Sequence, residues 1–282
     1  MQYQRLILEK EGHIATVTFN RPDQGNSFDF VIMEEIDHVL RALDEDNEVR
    51  AVIVTGAGKY FCTGVDLTMF VGGKSEPQVD KQEFENGAAS SRIQEELGEV
   101  PWGKGTVVGA VVVMRTMRKP VIAAVNGPAV GLGFSMALAC DIRVGSDTAR
   151  FSTIFVKRGL APDTGASFTL PRVIGFPKAI ELFLTGDTID AAEALRLGIV
   201  SKVVPQSDVV KAAREIAAKI AKHPPLAVSA TKQALYASAA ETDIIEQMKR
   251  EIDYQDKMLN TEDFQEAARA FLEKRDPVFK GR

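Results

Sequence analysis

An α/β fold with crossover connections is what this sequence predicts, and three observations carry the expectation. Two apolar runs, AVIVT (Ala51 to Thr55) and VIAAV (Val121 to Val125), have the character of strands buried on both faces. Each run opens onto a glycine-containing turn, GAGKYFCTGVD after the first and NGPAVGLG after the second. Segments with helical periodicity lie around them, so strands and helices alternate along the chain.

The elements follow in order. In HIATVTFN, Ala15, Val17 and Phe19 alternate with Thr16 and Thr18, the period of a half-buried strand, and another strand precedes it. NRPDQGNS is a loop. Ile32, Ile36, Val39, Leu40 and Leu43 then mark one face of a helix, with Ser27 and Asp29 as candidate caps. VIAAV leads through its turn into a buried helix, and IRVG forms a further short strand. The weakly patterned span 71–105 reads as a partly helical, mobile insertion over the site. The strand–turn units 51–64 and 121–133 have the form of a repeated building block. From about Ser207 the pattern becomes helical. SDVVKAAREIAAKIAK carries a Ser cap, an apolar face of Val209, Val210, Ala213, Ile216, Ala217 and Ile220, and basic residues near its end. HPP introduces a second helix, and TEDFQEAARAFLEKR a third. The chain thus divides into a 1–206 core and a 207–282 helical region expected to pack on a neighbouring subunit.

Composition narrows the function classes. The 282 residues are 45% apolar and 26% charged, enough for one large core. A net charge of −5 gives no electrostatic reason to bind nucleic acid. Cys62 and Cys140 form no CxxC pair and the N-terminus has no signal-peptide pattern, which points to a reducing, cytoplasmic setting. None of the histidines (His13, His38, His223) sits in metal-ligand spacing, so no metal site is expected. Val121 to Cys140 has the length of a membrane span, but Asn126-Gly127-Pro128 and two later glycines interrupt it.

Three motifs invite chemistry. GAGKYF follows a buried strand but lacks the third glycine of a dinucleotide loop and fails the phosphate-loop pattern. GFSMA approaches a nucleophile elbow at Ser135, and Ser135, Asp163 and His223 fall in hydrolase order, yet Ala137 replaces the second glycine. The two turns together offer more. Each presents backbone N–H groups after a buried strand, and one N–H from each would form an oxyanion hole. The remaining question is Asp163 in RGLAPDTGA, where Pro-Asp-Thr-Gly is good turn chemistry on its own.

GKYFCTGVDL and KPVIAAVNGPAVGLGFSMALACDIRV resemble the two signature blocks of the crotonase (enoyl-CoA hydratase/isomerase) superfamily. FPKAIELFLTGDTIDAAEALRLGIVSKVV resembles its downstream block and FLEKRDPVFKGR its closing segment. The resemblance implies a core of repeated ββα units, a C-terminal helical region, homotrimers or hexamers, and acyl-CoA thioester substrates, with coenzyme A as part of the substrate and no separate cofactor. Position by position, it puts the oxyanion amides at Val65 and Leu132. It puts CoA contacts at Gln24, Gly25, Asn26, Phe61, Thr63 and Asp66, and at Phe279 and Lys280, sometimes in the adjacent subunit. Ser135 and Phe155 stand where family hydratases carry two water-activating glutamates, and with Phe134 they would line the acyl pocket. Asp163 falls where isomerases and dehalogenases of the superfamily carry an active aspartate. The resemblance therefore implies an enoyl-CoA isomerase with Asp163 as acid/base. A hydratase using Asp163, a dehalogenase, and an inert acyl-CoA-binding homologue are the rival readings.

Overall fold

The computed structural model describes residues 3–70 and 106–282; the expected insertion at 71–105 lies outside the described residues. The chain begins with an antiparallel pair, β1 (Leu6–Glu11) and β2 (Ile14–Phe19). Helix α1 (Phe30–Glu45) then crosses over to β3 (Ala51–Gly56), which lies parallel to β2. Helix α2 (Thr106–Thr116) precedes β4 (Val121–Val125), and β6 (Ile142–Ser146) and β9 (Lys202–Val204) extend the same sheet in parallel. The strand order is β1-β2-β3-β4-β6-β9. A smaller sheet sets β7 (Arg150–Ser152) between β5 (Ala129–Val130) and β8 (Thr188–Asp190). Helix α3 (Leu132–Ala139) follows β5, while α4 (Ala166–Ile174), α5 (Phe176–Thr185) and α6 (Ala191–Arg196) surround β8. The order β-β-α recurs as β1-β2-α1, β4-β5-α3 and β6-β7-α4, so the ββα repeat that the resemblance implies is present, while the strand–turn unit at 51–64 falls outside it.

Side chains on successive strand residues point to opposite faces, which explains the unbroken apolar runs in the central strands. Val52 and Val54 join Ile32, Ile36, Val39, Leu40 and Leu43 of α1 in one cluster. Ala51 and Ile53 belong to the other face, where Val209, Ala212, Ala213 and Ala217 of α7 (Val209–Ala221) cover them. The small residues on α7 let it lie close to the sheet. The helical region from residue 207 thus opens with a helix that seals the core, before α8 (Pro225–Ser238), α9 (Ile244–Leu259) and α10 (Glu262–Glu273).

Two local expectations are corrected. Asp29 alone caps α1, accepting the Ile32 N–H at 3.0 Å, and Ser207 does not cap α7, which is entered through a 3-10 turn at Gln206–Asp208 with no side-chain cap. Four helices, not three, follow residue 207, because Asp243 caps α9 by accepting the Ile245 N–H at 2.8 Å and Thr261 starts α10 separately. Val121 to Cys140 resolves into β4, β5 and α3, and no described helix is long and apolar enough to cross a membrane.

Candidate active site

Parallel strands place their C-terminal ends, and the turns that follow them, on one edge of the sheet, where ligands of α/β proteins commonly sit. The turns after β3 and β4 meet there and are sewn together by backbone hydrogen bonds. The N–H groups of Phe61 and Cys62 donate to Pro128 O at 3.1 and 3.2 Å, and Val130 N–H donates to Cys62 O at 2.9 Å. Close approach explains two glycines. A Cβ on Gly127 would lie 1.9 Å from Lys59 O, and one on Gly133 would lie 2.1 Å from Cys62 O. Buried Asn126 adds a side-chain clamp: its Oδ1 accepts Gly56 N–H at 3.1 Å, and its Nδ2 donates to Gly58 O and Tyr60 O at 3.1 and 3.2 Å.

This stitching brings the two expected amides together. Phe28 N–H donates to Gly64 O and Asp66 N–H donates to Phe28 O, both at 2.9 Å, so the bonds flanking Val65 leave its own N–H facing away from Phe28. Leu132 opens α3, where the first N–H groups have no intrahelical partner. Neither amide has an acceptor among the described residues. A Cβ built on Gly64 would lie 3.9 Å from Leu132 N, which puts the two turns at one location. Two unpartnered donors, one at the positive end of a buried helix, can hold an oxygen that gains negative charge.

The wall beside these amides comes from the next segment. Gly131 N–H donates to Ser152 O at 2.9 Å, and Ile154 Cγ2 would lie 3.6 Å from a Cβ on Gly131. Phe155, almost fully buried, stacks on Phe183 with ring centroids 6.5 Å apart, while Phe134 packs against Phe151 at 5.4 Å. Ser135 is buried, and its hydroxyl donates back to Gly131 O at 3.2 Å, inside its own helix. Leu160 N–H donates to Phe155 O at 3.0 Å, and three residues on, Asp163 leads into α4, which packs on α3. Asp163 is half-buried, and Thr164 Oγ1 donates to its Oδ1 at 2.9 Å. Burial pushes the carboxyl above its ordinary range, an effect that the Thr164 hydroxyl and its own backbone N–H partly offset.

The hydrolase constellation is not assembled. His223 lines a cleft with Pro120 and Ile142, at the N-terminal ends of β4 and β6, whereas Ser135 lies beyond the C-terminal end of β4.

The residues matched to CoA contacts divide into three groups. Gln24 is exposed, and Thr63 and Asp66 are half-buried, with Asp66 held by Arg21 Nη2 at 3.0 Å. Gly25, Asn26 and Phe61 are buried and tie the loop after β2 to the turn after β3. Asn26 Nδ2 donates to Ala57 O and Tyr60 O at 2.9 and 2.7 Å, Gly25 O accepts Thr63 N–H at 3.0 Å, and the Phe61 ring packs 5.5 Å from that of Phe19. Phe279 and Lys280 lie elsewhere. Phe279 O accepts Arg50 Nη2 at 2.7 Å, and Lys280 N–H donates to Asp263 Oδ1 at 2.6 Å. Arg50 precedes β3, so this tail lies by the opposite end of a strand that rises roughly 17 Å. Within one chain it does not join the amide turns.

Asn126, Arg21, Cys62 and Thr164 are site residues that no sequence motif marks. Asn126 had a signal, since a polar residue directly after an apolar strand must be satisfied by something. The others are visible only through partners distant in sequence or through backbone torsion.

A model of the enoyl-CoA hydratase/isomerase family matches residues 9–282. A short-chain-enoyl-CoA hydratase of Clostridium acetobutylicum is 37% identical, with 98% of this chain and 97% of that one covered. A probable enoyl-CoA hydratase of Mycobacterium bovis is 36% identical, over 97% of this chain and 92% of the relative. The crystal structure of an enoyl-CoA hydratase from Bacillus anthracis superposes with a TM-score of 0.85 at 31% identity, covering 99% of this chain and 100% of that one. Fold, repeat and paired turns agree with the expected crotonase-like architecture, and the chain belongs to the enoyl-CoA hydratase/isomerase family.

Proposed function

We propose that this protein acts on acyl-CoA thioesters and moves a double bond from the 3- to the 2-position of an enoyl-CoA. The pairing of the Val65 and Leu132 amides carries the reading. A thioester oxygen held by both N–H groups draws electron density from C2 and makes its hydrogen acidic. Asp163 takes that proton, the enolate charge rests on the oxygen between the amides, and the protonated carboxyl returns a proton to C4. The double bond moves into conjugation with the carbonyl. The raised affinity of Asp163 for its proton suits a group that both accepts and returns one. Phe134 and Phe155 keep the acyl pocket apolar, and Ser135, turned back on Gly131, supplies no base for water. Coenzyme A enters as the carrier half of the substrate, and a one-carboxylate shuttle asks for no other cofactor. Gln24, Thr63 and Asp66 border the carrier, while Phe279 and Lys280 reach it from a neighbouring copy in a trimer or hexamer.

Hydration is the second reading, favoured by the names of the relatives. A panel of 2-enoyl- and 3-enoyl-CoA substrates, scored separately for isomer, 3-hydroxyacyl product and free CoA, separates the two. Isomer from a 3-enoyl-CoA is expected. A 3-hydroxyacyl-CoA as the main product reassigns the enzyme as a hydratase, and no turnover of any substrate leaves an acyl-CoA binder. Asp163→Asn is expected to lower kcat by about 10²–10⁴-fold, the usual contribution of a positioned acid/base, with acyl-CoA affinity little changed. Retention of most turnover returns Asp163 to the turn.

A further inference from the structure

Thr164 stands at a backbone position that its residue type disfavours. Its φ is +45°, in the left-handed region, where a β-branched side chain is crowded and glycine or asparagine is the usual occupant. Gly165, with φ of +74°, continues the left-handed turn into α4. Thr164 is buried, and its hydroxyl donates to Asp163 Oδ1 at 2.9 Å. A turn alone would be served better by glycine, which also has no hydroxyl to satisfy. Strained torsions persist where the surroundings hold them, and they concentrate at functional sites.

We propose that Thr164 is a positioning residue for Asp163: its hydroxyl occupies one carboxylate oxygen, locks the side chain, and leaves the other oxygen as the proton carrier. The inference rests on the reading of Asp163 as the acid/base. Among the described residues no other side chain donates to that carboxylate. Among the described residues no charge substitutes for the hydroxyl. Helix α3 carries no ionisable group, Arg115 of α2 lies over the rings of Phe168 and Tyr236, Arg172 of α4 lies over Phe168, and Lys178 and Glu181 of α5 pair with each other. The hydroxyl donor favours the ionised form, and burial opposes it. Removing the donor therefore moves the acid limb of the pH–rate profile upward and frees the carboxyl to rotate.

The test compares Thr164→Val, Thr164→Gly and Thr164→Ser on the acyl-CoA that the panel shows to be turned over. Without the hydroxyl, Val and Gly are expected to shift the acid limb of kcat upward by about one pH unit and lower kcat by about tenfold, with KM nearly unchanged. Thr164→Ser restores both. The Gly variant relieves the backbone, so its melting temperature is not lowered, and it carries the test if Val fails to fold. Carboxyl-carbon NMR, with the Asp163 signal assigned by its loss in Asp163→Asn, reads the same titration without turnover. An unmoved limb and titration in both Val and Gly would overturn the inference while leaving Asp163 in place if Asp163→Asn is inactive. An active Asp163→Asn variant removes the acid/base reading itself and the inference with it.

Discussion

Gly133 shows how one missing Cβ controls the candidate site. Its Cα faces the Cys62 carbonyl at the seam between the two turns, and any Cβ there would meet that oxygen at 2.1 Å. Gly133→Ala must push α3 off the seam, and with it the Leu132 amide. The variant is expected to lose about 1–3 kcal/mol of stability, the usual cost of overpacking, and to lose kcat disproportionately. Calorimetry and steady-state kinetics check it; an unchanged melting temperature removes the argument. Cys62, beneath the same seam, is pushed up to about 12 by burial and stays a thiol. Asp163 makes the opposite kind of demand. Its folded affinity for a proton exceeds its unfolded one, so its stabilising contribution is present below the unfolded value, about 3.9, and is lost as pH rises through the folded value. At neutral pH the ionised carboxylate costs stability. Asp163→Asn is expected to melt above the parent protein at pH 7, with the difference shrinking toward pH 4 as the parent protonates. A lower melting temperature at pH 7 contradicts the burial argument.

Among the elements, the C-terminal tail and α10 form the clearest local unit. Asp263, buried in the first turn of α10, accepts Lys280 N–H at 2.6 Å and Gly281 N–H at 2.8 Å, while its own N–H donates to Arg282 O at 3.1 Å. Hydrogen bonds to a buried carboxylate are each stronger than neutral ones, and both are lost together in Asp263→Ala. The tail is then expected to be released, with trypsin cutting faster after Arg275 and Lys280 while the main melting transition moves little. Mass spectrometry of timed digests reads the cuts. A cutting rate equal to that of the parent shows that the clasp does not hold the tail. A rise in acyl-CoA KM without a fall in kcat would further tie this tail to ligand binding in a neighbouring copy.

At the scale of the molecule, the single chain leaves apolar surface uncovered along its C-terminal helices. Ile245, Met248 and Ile252 recur at helical spacing on α9 and are each more than half exposed, and Phe271 and Leu272 of α10 are 83% and 80% exposed. Contiguous exposed apolar residues mark contact surfaces more often than chance scatter does. The mass in solution is expected to be three or six times the 30.7 kDa chain, measured by light scattering at micromolar concentration. Ile252→Asp is expected to weaken that assembly. A monomer for the parent protein would remove the assembly proposal and the role given to Phe279 and Lys280.

The sequence by itself determined the α/β class, the central strands, the α1 face and the paired glycine turns, because burial on both faces of a strand and on one face of a helix leaves a local record. The motif blocks likewise carried the family. Local signals fail where apolar residues face outward: the α9 face of Ile245, Met248 and Ile252 is exposed, so it marks no place in the core. Only the tertiary structure decided that the Val65 and Leu132 amides share one location, since that depends on hydrogen bonds between turns more than sixty residues apart in the chain. It alone decided that Ser135 turns inward, that His223 and the Phe279–Lys280 tail lie by the other end of the sheet, and that Thr164 is bent backward to reach Asp163. Residue type sets what a side chain can do, but direction, burial and partner come from the packing of elements that no local pattern encodes.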